Sequence, residues 1–194
     1  MNDQQQIDEI FQRIAGDLSM IADRELKVQP AEVQRATARA AGAQCVHISF
    51  KLGFQHAGRI LHGCLLMPLP DALALSGYLM MLPEESVQSR RGLSALDSAT
   101  KDALVEIGNF VGGAADAALR SLDLPEIRVR SESCQGVKPG VRPAFAFEEG
   151  AQLRVGRAKA QLASGPPFEL ILMLPLLEPL PVQAAEPLSA AAAA

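Results

Sequence analysis

The sequence predicts an α/β domain with an internal repeat, and three observations predict it. Apolar residues at three-four spacing mark two long amphipathic helices, one near the N-terminus and one ending near residue 122. Apolar runs bounded by Gly and Pro supply strands between and after them. Segments of the first half then recur, in order, in the second.

The first helix is carried by Ile7, Ile10, Phe11, Ile14, Leu18 and Ile21. ELKVQP reads as a strand, and AEVQRATARAAG stays open between helix and loop. CVHISFKL and GRILHGCLLMPL read as two strands joined by a short connection containing Gly53 and Gly58. His47 alternates with Ile48 and Phe50 and is expected on the solvent side. Pro70 and Asp71 open a second helix, DALALSGYLMML, which Pro83 stops; EESVQSRRG reads as a loop. Ser94, Asp97 and Ser98 are N-cap candidates for the long helix, and Pro125 prevents its continuation. IRVRSES alternates like a strand, SCQGVKPGVRP turns, and AFAF, QLRVGRAKAQL and FELILML add strands. The domain is expected over residues 1–177, with the Pro- and Ala-rich segment 178–194 a disordered tail.

Composition narrows the function. At 194 residues and 48% hydrophobic, the chain can bury one substantial core. A net charge of -4, a single Tyr and no Trp argue against a nucleic-acid surface. The start, MNDQQQIDEI, lacks the basic and apolar regions of a signal peptide, and no apolar stretch is long enough to span a bilayer. Cys45, Cys64 and Cys134 are isolated and odd in number, as reduced thiols of a cytoplasmic protein would be. His47, His56 and His62 have no carboxylate at ligand spacing, so no metal site is expected on this chain.

The repeat is read from three matches. EIFQRIAG at 9–16 aligns with EIGNFVGG at 106–113, ELKV at 25–28 with EIRV at 126–129, and LLMPL at 65–69 with LMLPL at 172–176. In the second half, Asp102, Glu106, Asn109, Gly113, Asp116 and Arg120 are spaced to share one helix face. Leu104, Ile107, Val111, Ala115, Ala118 and Leu122 form the opposite, core-facing side. Each glycine costs a helix interior roughly 1 kcal/mol relative to alanine, so glycines beside the stripe suggest close approach of another backbone. An acid and an amide one turn apart can pair with a cation and orient a water.

The run Asp102-x3-Glu106-x2-Asn109 followed by Gly113 resembles the active helix of the CheC/CheX/FliY phosphatases of bacterial chemotaxis. GCLLMPLPDALALSGYLMML is similar to the matching stretch of CheC and FliM. The resemblance implies long helices packed beside a continuous antiparallel sheet with pseudo-twofold halves. It implies hydrolysis of the aspartyl phosphate of a CheY-like response regulator. Glu106 would pair with the regulator's lysine, Asn109 would hold a water in line with phosphorus, and Asp102, Gly113 and Asp116 would contact the partner. No cofactor is implied on this chain; the Mg²⁺ would belong to the regulator. A CheD-like partner and a homodimer are compatible with the family. Gln12 replaces the second active asparagine, and its extra methylene would carry the amide about 1 Å too far out for an aligned water. Glu132 or a neighbour stands where the family often has a proline. The alternative function is a non-catalytic FliM-like adaptor or flagellar-switch module.

Overall fold

Pairing between strands organises the chain around one antiparallel sheet. The computed structural model describes residues 2–93, 95–124, 126–148 and 150–176. The expected tail and the N-cap candidate Ser94 therefore lie outside the described residues. In chain order the elements are α1 (Asp3–Ala22), β1 (Leu26–Val28), β2 (Glu32–Ala36), β3 (His47–His56), β4 (Arg59–Pro68), α2 (Leu69–Leu79), α3 (Glu84–Arg90), α4 (Ser98–Ser121), β5 (Arg128–Val137), β6 (Leu153–Leu162) and β7 (Phe168–Pro175). Across the sheet the order is β1-β6-β7-β4-β3-β5, with β2 also paired to β6. Every pairing is antiparallel.

Both long helices start where a short polar side chain accepts from the first turn. Asn2 accepts from Gln5 N at 2.8 Å and Asp97 from Thr100 N at 2.7 Å, satisfying donors that a helix start leaves free. Helix α1 ends at Asp23, which takes the left-handed conformation with φ 49°. The buried sides of α1 and α4 cover one sheet face in a core that includes Ile7, Phe11, Ile14, Phe50, Phe54, Ile107, Val111 and Leu172. On the other face, Cys64, Leu66, Leu153, Val155, Ile171 and Met173 form a smaller cluster with Phe145 and Phe147 against it. Such alternation follows from the two-residue period of strand side chains.

The repeat is visible in the hydrogen-bonded register. Leu65 and Leu172, aligned in the LLMPL and LMLPL match, stand directly opposite each other where β4 pairs β7. A pseudo-twofold axis through that pair relates α1, β1/β2, β6 and β7 to α4, β5, β3 and β4. Val28 opposite Ala160 in one half corresponds to Val129 opposite Phe54 in the other. Helix and strand have exchanged bulk between the halves. Phe11 of α1 packs over Gly156, where an added Cβ would stand 2.4 Å from Ile7 and 3.3 Å from Phe11. At the equivalent place α4 carries Gly108, and the strand beneath it carries Phe50. Total volume is conserved although each position differs, as close packing requires.

Several expectations are corrected. EESVQSRRG is not a loop: α3 forms because Pro83 sets its entry, Glu84 and Glu85 occupy its first turn, and Val87 is fully buried. The undecided AEVQRATARAAG yields β2, fixed by its pairing with β6. AFAF is no strand; Phe145 and Phe147 alternate because they pack on the outer sheet cluster without ladder bonds. Strand β5 runs on through the expected turn to Val137, paired with His47. His47 is itself 3% exposed, with Nδ1 2.9 Å from the Cys45 carbonyl oxygen and its ring close over Gly42. Alternation in β3 does separate two faces, but the second is covered. The three cysteines are free thiols, and burial pushes Cys64 up to about 12.

Candidate functional site

Helix α4 owes its position to two glycines that face inward. A Cβ at Gly108 would stand 3.1 Å from the Ser131 hydroxyl, and one at Gly112 would stand 2.6 Å from Ser131 N. The helix therefore rests almost on the backbone of β5. This corrects the expectation that both members of the Gly112–Gly113 pair serve a partner: Gly112 serves the chain's own sheet. Gly113 is exposed with nothing within 4 Å of its Cβ position.

The outward face carries Asp102, Glu106, Asn109 and Gly113, all exposed. The Asn109 Nδ2 donates to Glu106 Oε2 at 3.1 Å, so carboxylate and amide form one unit on a single helical turn. Val105, missed in the sequence, adds an apolar side chain that is 51% exposed. Its position three residues after Asp102 and four before Asn109 already placed it at the stripe's edge. The structure thus brings four of the five expected residues onto one accessible surface.

Asp116 is the exception. Three residues beyond Gly113 turn its side chain about 60° back toward β5, where it is 8% exposed. Its Oδ1 accepts from Val129 N at 2.9 Å, and its Oδ2 pairs with Arg120 and lies 3.8 Å from Arg128. Ser19, at the equivalent place in α1, accepts from Leu26 N at 2.8 Å. In both halves this position anchors the strand that follows the helix. Asp116 is a structural anchor, turned away from any partner on the stripe.

The equivalent surface of α1 carries Glu9, Gln12 and Gly16, also exposed. Gln12 is spent differently: its Nε2 donates to the Val28 carbonyl at 3.0 Å. The longer side chain reaches its own strand β1, while Asn109 stays on its helix. A groove of about 1080 Å³ opens at the end of the sheet, lined by residues including Arg59, His62, Phe147, Leu153 and Leu176, and none of the stripe residues lines it. Among the described residues no group of three or more His, Cys, Asp or Glu could hold a metal, and no helix is long and apolar enough to cross a membrane.

No protein-family model matches the chain, and no curated protein matches it in sequence. Solved structures do match. Thermotoga maritima FliY superposes with a TM-score of 0.67 at 15% identity, covering 90% of each chain. The FliM middle domain from H. pylori gives 0.64 at 10% identity, covering 89% of this chain and 88% of that one. The chemotaxis protein CheX from Desulfovibrio desulfuricans gives 0.54 at 14% identity, covering 85% and 94%. The chain therefore has the fold of the CheC/CheX/FliY chemotaxis proteins over nearly its whole described length.

Proposed function

We propose that this chain is a phosphatase acting on the aspartyl phosphate of a CheY-like response regulator. The observation that carries the reading is the Glu106–Asn109 unit, exposed on a rigid helix beside the open surface at Gly113. Hydrolysis of an acyl phosphate needs a positioned water and charge compensation more than a nucleophile from the protein. Glu106 would pair with a lysine beside the regulator's phosphoryl group, and the Asn109 amide would enter the regulator's site. Water oxygen bonds to phosphorus as the bond to the aspartyl oxygen breaks, giving inorganic phosphate and the regulator's free carboxylate. The Mg²⁺ for this chemistry would be held by the regulator. Asp102 and Val105 would border the contact, and Gly113 would let the partner's backbone come close.

A second reading is a non-catalytic module that binds a regulator or a switch protein. It is favoured by likeness to FliM, which has been solved in complex with FliG from H. pylori, and by the engaged amide of Gln12. The test is the rate of phosphate loss from the phosphorylated cognate regulator, with and without the full chain. Acceleration supports the phosphatase; unchanged decay together with measurable binding supports the module.

A further inference from the structure

We infer that Glu106 is also the positioning residue for Asn109, fixing which end of the amide meets the hydrolytic water. The inference rests on the phosphatase reading of this site. An amide has an acceptor end and a donor end, and they would treat an attacking water oppositely. An oxygen that accepts a hydrogen from the water leaves the water's lone pair free to face phosphorus. An NH₂ that donates to the water occupies one of its two lone pairs and cannot accept a hydrogen from it. On a helix surface, nothing in the asparagine itself selects between the two.

The selection comes from one turn earlier. Glu106 Oε2 takes the hydrogen bond from Asn109 Nδ2 at 3.1 Å, which turns the NH₂ end back toward the carboxylate and leaves Oδ1 as the end presented away from it. A carboxylate has two oxygens and about four acceptor sites. Glu106 can therefore hold the amide through Oε2 and meet the regulator's lysine through Oε1. Water leaves as the partner closes over the helix, and the charge-assisted bond between carboxylate and amide strengthens.

The first half supplies the contrast. Glu9 and Gln12 have the same spacing and exposure, yet the Gln12 Nε2 donates to the Val28 carbonyl. Its orientation is set by strand β1, independently of Glu9. The asymmetry between the halves therefore includes which group governs the amide, in addition to the length of the side chain.

The prediction separates the two duties of Glu106. Glu106→Gln removes the charge that attracts the lysine but keeps an oxygen that accepts from Asn109. Its KM for the phosphorylated regulator should rise, with kcat falling by less than about threefold. Glu106→Ala loses both duties, and kcat at saturating regulator should fall by about tenfold or more, the cost of one charge-assisted hydrogen bond. Equal kcat values for the two variants would overturn the inference while leaving the phosphatase reading intact. If the wild type gives no acceleration at all, the phosphatase reading fails instead. The side-chain amide protons of Asn109, followed by NMR in the full chain, then decide the inference. A shift that tracks Glu106 ionisation and vanishes in Glu106→Ala supports the positioning contact, and its absence overturns it.

Discussion

Replacing each member of the Gly112–Gly113 pair by alanine separates packing within the chain from room left for a partner. Both substitutions sit in a helix interior and gain about 1 kcal/mol of helix propensity. At Gly113 the new methyl meets nothing within 4 Å, so that gain should appear in full. For a domain of this size it corresponds to a rise in Tm of roughly 2–4 °C. At Gly112 the methyl would stand 2.6 Å from Ser131 N and 3.2 Å from Arg130 C. Both obstacles are backbone, so α4 and β5 must separate. Overpacking of this kind costs about 1–3 kcal/mol, and the net change lies between zero and about 2 kcal/mol of destabilisation. Urea denaturation of both variants measures this directly. Gly112→Ala as stable as Gly113→Ala would refute the claimed close approach of helix and strand. Phosphatase assays then add the functional half: Gly113→Ala should raise KM despite its greater stability, because the methyl fills space reserved for the partner.

Three further outcomes are expected. Asp116→Ala leaves Val129 N without its acceptor and should destabilise by about 1–3 kcal/mol, with KM and kcat unchanged per folded molecule; a selective loss of regulator binding would reinstate it as a contact residue. Gln12→Asn should release the amide from Val28, let it fall back toward Glu9, and raise phosphate release per chain toward the rate of two sites; unchanged release would show that α1 lacks more than the right amide. Hydrogen bonds from Thr100, side chain first and then backbone, hold the Asp97 carboxyl below its usual range. The folded pKa lies below the unfolded one, so Asp97 contributes stability above the ordinary carboxylate range and loses it as pH falls through the folded value. Denaturation curves at neutral and acid pH should show a smaller acid-side loss for Asp97→Ala than for wild type.

Periodicity and repetition were legible because they reflect long-range order in the chain. The three-four spacing from Ile7 to Leu18 found α1, and the LLMPL–LMLPL match found the centre of the sheet. Boundaries set by tertiary pairing were harder to read. Nothing local marks Glu32–Ala36 as a strand, since it is held by β6 from more than a hundred residues away. Phe145 and Phe147 mimic a strand because covering a sheet face imposes the same alternation as belonging to one. At the site, helical spacing located Asp102, Glu106, Asn109 and Gly113. It misplaced Asp116 because stepping by three and four drifts around the helix, and only β5 decides which flank is buried. The inward duty of Gly112 was invisible for the same reason: a glycine does not say which side its neighbour approaches from.

The central claim is that the Asn109 amide orients the hydrolytic water, while Asp102, Glu106 and Gly113 meet the partner. The most direct test measures kcat for phosphate release at saturating phosphorylated regulator, wild type against Asn109→Ala, with affinity for the regulator measured in parallel. The account predicts a loss of about 100-fold in kcat, as for a misplaced reacting water, with affinity nearly unchanged. Full activity in Asn109→Ala would contradict it.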